Sequence, residues 1–108
     1  MLFKKPLIQK IREGEKTQTR RISQRKYKVG RPYGIRSSRF RKSEGHIVIN
    51  RRFEQKLGEI RLTDVKKEGF NSLEEFRRAW EEINGKGSWK PEQIVSVYEF
   101  ELVGESNP

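Results

Sequence analysis

The chemistry-bearing side chains of this sequence crowd into Gly14-Glu15-Lys16-Thr17-Gln18-Thr19-Arg20-Arg21. A lysine, two hydroxyls and two adjacent guanidiniums after a helix-ending glycine make a clamp for phosphate or carboxylate. Arginine grips either oxyanion through two parallel N–H bonds, and lysine adds a point charge. The cations continue past the motif: from Lys16 to Ser43 there are 11 Lys and Arg, seven of them Arg, and no acid. Such a run repels itself unless a polyanion or strongly solvated surface accepts it. Tyr27, Tyr33 and Phe40 lie among Lys28, Arg31, Arg36, Arg39 and Arg41, which offers cations for phosphates and rings for exposed bases. Tyr27 reads equally well as core. The candidate nucleic-acid set is therefore Lys16, Arg20, Arg21, Arg25, Lys28, Arg31, Tyr33, Arg36, Arg39 and Arg41, with RNA the expected partner.

The charge is divided along the chain. Residues 1–56 hold 18 Lys and Arg against 4 Glu, whereas residues 57–108 hold 7 against 11 acids. The basic run lacks the apolar helical face of an interfacial helix, so nucleic acid is favoured over membrane. Cysteine is absent, which excludes disulfides and thiolate metal sites. His46 is the single histidine and reads as a strand or surface residue, so no metal and no cofactor are expected, and a nuclease is disfavoured. No apolar run approaches the ~18 residues of a membrane span, and residues 1–5 lack a signal-peptide core, so a cytoplasmic protein is expected. The 108 residues fit one domain, and 27 of them are Leu, Ile, Val or Phe, enough for a thin core.

Several elements must position these groups. Pro6 at a first turn, Leu7, Ile8 and Ile11 on one face and Gly14 beyond predict a short helix over residues 5–13. Residues 16–22 read as extended, and Gly30, Pro32 and Gly34 as turns. Residues 36–45 are polar and read as a loop. Period-2 alternation predicts strands around Ile47 and Ile49, around Ile60 and Leu62, and over residues 94–103. Ser72 and Glu75 have capping-box spacing, and Leu73, Phe76, Trp80 and Ile83 form the stripe of a helix closed by Gly85, with Trp80 in the core. Few helices and several short strands predict an α+β fold, a small closed or partly closed mixed β-barrel with two flanking helices.

Gly14, Lys16, Thr19 and Arg21 match the G-x-K-x-x-T-x-R pattern of the ASCH domain family, which the chain resembles. The resemblance extends to Tyr27-Lys28-Val29-Gly30, the helix around Phe76 and Trp80, and the closing Val97-Tyr98-Glu99-Phe100 strand. It implies a PUA-like barrel with a cleft that binds RNA. One branch of the family removes the acetyl group from acetylcytidine, and the roles carried over from it fall on Lys16, Thr19 and Glu68. Asp64, Glu74 and Glu75 are neighbouring alternatives to Glu68. Such a trio requires a base to take the threonine proton, and a lysine serves only when burial or nearby cations depress its pKa. Arg31 stands where many relatives carry an acid, which tilts the cleft toward polyanions. Residues 16 and 19 would face opposite ways on a straight strand, so a turn or bulge after Gly14 is expected.

Overall fold

The computed structural model describes residues 1–22 and 25–103; residues 23, 24 and 104–108 of the domain expected over 1–108 lie outside the described residues. Helix α1 (Lys5–Arg12) is followed by strands β1 (Gln18–Arg21), β2 (Pro32–Gly34) and β3 (His46–Lys56). A short 3-10 turn (Leu57–Glu59), helices α2 (Leu62–Lys67) and α3 (Leu73–Asn84) and strand β4 (Ile94–Val103) complete the chain. The strands form one antiparallel sheet in the order β1-β4-β3-β2, curled into a half-barrel. A parallel bridge between Leu2 and Arg36 extends it beyond β2, and the Arg21 guanidinium reaches across from β1 to the Leu2 carbonyl at 2.7 Å. No helix among the described residues is long and apolar enough to cross a membrane.

β4 is central, and its alternation builds two cores. Tyr98 and Phe100 pack with Phe3, Ile8, Ile11, Ile47 and Ile49, while Val95 and Val97 pack with Val65, Phe76 and Trp80. The register of β3 against β4 slips between Ile49 and Arg51. The extra residue, Asn50, reverses which face the later odd residues occupy, so Ile47 and Ile49 join the first core and Phe53 the second. This bulge and the charged residues after it hide the second half of β3 from a period-2 reading. β2 is only three residues long and falls within the Gly30, Pro32 and Gly34 turn cluster, which hides it in the same way.

The strand predicted around Ile60 and Leu62 is not formed. That segment leaves the 3-10 turn and enters α2, where the Arg61 N–H is held by the Asp64 carboxylate at 3.1 Å and Val65 is buried. Leu62 is instead exposed. Two alternating apolar residues suit either periodicity, and the acid three residues after Arg61 marks a helix start. At α3, Ser72 Oγ accepts from the Glu75 N–H at 3.2 Å as its spacing predicts, but Glu75 accepts from the Asn71 N–H rather than from Ser72. Phe76 and Trp80 are buried, with Trp80 Nε1 donating to the Ser88 carbonyl, whereas Leu73 and Ile83 remain exposed.

Candidate functional site

The motif lies beside a cleft of about 440 Å³ between the amino-terminal segment, β1, the end of α2 and α3. Lys16, Thr19, Arg20, Arg21 and Glu68 all line it, so the expected trio converges on one cavity. Phe3, Leu7, Phe76 and Trp80 supply apolar wall, and Leu2, Ile22 and Ile83 an apolar rim. The volume falls within the ~300–1,000 Å³ of ordinary small-ligand sites.

Lys16 precedes β1, reached through a turn in which Glu15 and Lys16 donate to the Lys10 carbonyl and Gly14 adopts a φ of 80°. The side chain is 2% exposed. Its Nζ donates to the Gln18 carbonyl (2.8 Å), the Glu68 carbonyl (2.9 Å) and Glu68 Oε1 (3.1 Å). Three acceptors match the three protons of an ammonium. Glu68 ends α2, and the chain escapes there through Gly69 at a φ of 99°. A Cβ on Gly69 would stand 3.4 Å from the Lys16 Cβ and 3.2 Å from the Lys10 Cδ, so glycine keeps room for the lysine stem.

Lys16, Gln18 and Arg20 share one side of the chain. Arg20 Nη1 meets Glu68 Oε2 at 2.9 Å and the Gln18 amide oxygen, Nη2 lies 3.7 Å from Asp64, and both Nε and Nη2 donate to the Gln55 oxygen. Arg20 thus lines the cleft with its guanidinium engaged inside the fold, where it holds Glu68. Gln18, Gln55 and Asp64 complete the network that sequence reasoning missed; Asp64 appeared there only as an alternative to Glu68. The signal was present in β1 itself, where polar Gln18 and Arg20 occupy a buried strand face that must be satisfied.

Thr19 and Arg21 take the other side. Thr19 is 5% exposed, lines the cleft, and its hydroxyl has no hydrogen-bond partner among the described residues. The Arg21 guanidinium lies 4.7 Å from the Phe3 ring centroid. Both sides contribute because β1 pairs only with β4 and the cleft follows its other edge. The alternation expected of a straight strand therefore holds, and the edge position reconciles it with a shared site.

Burial pushes the Lys16 pKa below the ordinary 10.5, against the pull of Glu68 and aided by Arg21 and Arg20. Burial also lowers that of Arg21. Between its depressed value and 10.5, folded Lys16 binds fewer protons than the unfolded chain does. Its contribution to stability is therefore fully present above 10.5 and is lost as pH falls through the folded value. Urea unfolding of wild type and Lys16→Met across alkaline pH should show the wild type gaining relative to the variant as pH rises. A level or falling difference contradicts this account.

The outer cations are not among the residues that line the cleft. Arg25, Lys28, Arg31, Arg39 and Arg41 are exposed, and Arg36 is half-buried with Nη2 3.3 Å from Ser43 Oγ. Tyr27 is core: it packs edge-on between Tyr33 and Tyr98 at 4.9 and 5.5 Å. Tyr33 is half-buried, its hydroxyl accepting from the Lys28 N–H at 2.8 Å.

Among solved structures the chain resembles an ASCH domain from Lactobacillus crispatus JV V101, with a TM-score of 0.76 and 13% identity over 90% of this chain and 70% of that one. The fold is that of an ASCH domain. A protein of Enterococcus faecalis V583 assigned to family DUF984 matches with a TM-score of 0.68 and 19% identity, over 91% of this chain and 70% of that one. No protein-family model matches the sequence, and no curated protein matches it significantly. The ASCH-like chain thus keeps the fold at low identity: the expected α+β fold with α1 and α3 as flanking helices is observed, and the expected mixed β-barrel is an antiparallel sheet curled into a half-barrel.

Proposed function

We propose that this ASCH-fold protein binds RNA. The observation that carries the reading is electrostatic: Lys28, Arg31, Arg39, Arg41 and Lys42 are exposed and have no acidic partner among the described residues. Some other exposed cations are paired, Lys26 with Glu54, Arg51 and Lys67 with Glu99, and Lys56 with Glu92. Unneutralised exposed cations attract a polyanion, and phosphates release counterions when they meet them. The cleft adds selectivity: its apolar walls suit one unstacked base, and Arg21 at its edge suits a phosphate or an exocyclic carbonyl. Binding of a labelled single-stranded RNA, followed by anisotropy at ~50 mM salt, tests this directly. Absence of saturable binding removes the proposal.

A second reading is favoured by the convergence of Lys16, Thr19 and Glu68 on the cleft. In it the protein removes the acetyl group from acetylcytidine. Thr19 Oγ attacks the acetyl carbonyl, neutral Lys16 takes the hydroxyl proton and returns it to the leaving cytosine amine, and water then releases acetate from Thr19. Glu68 orients the lysine. The step requires Lys16 without one of its protons, which its lowered pKa assists. Acetylcytidine, free or within RNA, should yield cytidine, and Thr19→Ala should abolish that release while the melting temperature holds. No cytidine from wild type ends this reading and leaves RNA binding untouched.

A further inference from the structure

The loop joining β2 to β3 carries Phe40, which at 91% exposure is the most exposed large apolar side chain among the described residues. The loop is anchored at its base. Fully buried Ile35 donates to the Gly45 carbonyl at 3.0 Å and accepts from the Glu44 N–H at 2.7 Å. Its tip is a reverse turn, closed by the Arg41 N–H on the Ser38 carbonyl at 3.2 Å, with Ser38 Oγ accepting from the Phe40 N–H at 3.3 Å. Arg39 and Phe40 occupy the corner. A turn has no local use for a phenyl ring at that position, where Gly, Asn or Asp carry the backbone preference.

A single exposed apolar side chain is ordinary in itself; this one is set among cations. Arg39 and Arg41 flank it in sequence, and the ring borders a shallow recess with Lys5, Arg41, Lys42 and the acid Glu44. Lys5, Arg39, Arg41 and Lys42 have no acidic partner among the described residues. The other rings of the basic run are already engaged, Tyr27 in the core and Tyr33 through its hydroxyl and its contact with Tyr27.

We infer that Phe40 is a base-stacking post for single-stranded nucleic acid, a second subsite beside the cleft, with Arg39, Arg41 and Lys42 holding the adjoining phosphates. This rests on the RNA-binding reading. Ser37 lines the cleft three residues before Phe40, a chain span of at most ~11 Å. That matches about three nucleotides at ~3.4 Å each along a stacked strand. One strand can therefore place a base in the cleft and another on Phe40. A membrane-inserting tip is disfavoured because interfacial insertion buries a continuous apolar face, and here one ring stands alone among charges.

Affinities of wild type, Phe40→Ala and Phe40→Trp for AMP and for a labelled hexaadenylate test the subsite. Phe40→Ala should weaken hexaadenylate roughly 10-fold, within the range for one stacked base, leave AMP unchanged, and leave the thermal melt unchanged because the ring is exposed. Phe40→Trp should bind the hexamer at least as well as wild type. Equal binding of the hexamer by wild type and Phe40→Ala overturns the stacking post while RNA binding stands. Failure of the wild type to bind the hexamer removes both. An equal loss for AMP and hexamer places the ring in the primary site and overturns the second subsite. Vesicles of phosphatidylcholine with phosphatidylserine form a further arm, and Phe40-dependent binding to them without Phe40-dependent RNA binding also overturns the inference.

Discussion

Replacing Glu68 by Ala is expected to destabilise the protein by ~3–5 kcal/mol, the loss typical of removing one partner from a buried ion pair. Glu68 is 3% exposed and its two carboxylate oxygens are divided between Lys16 Nζ at 3.1 Å and Arg20 Nη1 at 2.9 Å. Truncation leaves two cations inside the fold with only neutral acceptors and the more distant Asp64, 3.7 Å from Arg20. At ~4–8 °C per kcal/mol for a domain of this size, the melting temperature should fall by at least ~12 °C. Adding Lys16→Met to Glu68→Ala should recover part of the loss, because the stranded ammonium is then gone. Calorimetry or urea titration of the single and double variants checks both statements. A cost below ~1 kcal/mol for Glu68→Ala, within the range of a surface pair, contradicts the buried network.

Much of the scaffold was legible because long, clean periodicities leave few alternatives. β4 alternates apolar and acidic residues from Tyr98 to Leu102 and α3 carries both an N-cap and an i, i+4 apolar pair, and both form where their patterns place them. Ile60 and Leu62 offered too short a window to separate strand from helix, and the Asn50 bulge interrupted the period of β3. The motif marked Lys16 and Thr19, but it does not tell an arginine aimed at a ligand from one aimed inward. Arg20 and Arg21 are adjacent and chemically identical. Only the pairing of β1 with β4 and the arrival of Glu68 from 48 residues away send Arg20 inward, leaving Arg21 at the cleft. Long-range contacts of this kind have no local signature. Arg20 is drawn into the buried network and Tyr33 packs against Tyr27, while Arg21 lines the cleft and the outer cations are exposed.

Raising monovalent salt from ~50 to ~200 mM should weaken single-stranded RNA binding about 60-fold. The estimate follows from about four or five phosphate contacts at ~0.7 per contact, a log–log slope near −3. The contacts are assigned to Lys28, Arg31, Arg39, Arg41 and Lys42, exposed and free of acidic partners among the described residues. Arg39→Ala with Arg41→Ala should therefore flatten the slope by about 1.4, two contacts' worth. A cation that touches no phosphate changes affinity through the general field and leaves the slope near its wild-type value. Salt titrations of wild type and the double variant separate these cases. A wild-type slope near zero, or one that the double variant leaves intact, contradicts the assignment.

The claim that this ASCH-fold protein recognises RNA, rather than attracting any polyanion, is tested most directly by comparing its affinities for single-stranded RNA, duplex DNA and heparin at one salt concentration, for wild type and Arg21→Lys. Lysine preserves the charge but loses the planar fork that can grip a phosphate and lie on a ring. Arg21 sits at the cleft with its guanidinium over Phe3, so its geometry should matter where a base or phosphate enters the cavity. The expected result is tighter binding of single-stranded RNA than of either competitor, with Arg21→Lys weakening RNA and sparing heparin. Equal affinity for all three polyanions, unchanged by Arg21→Lys, would contradict the RNA-site account.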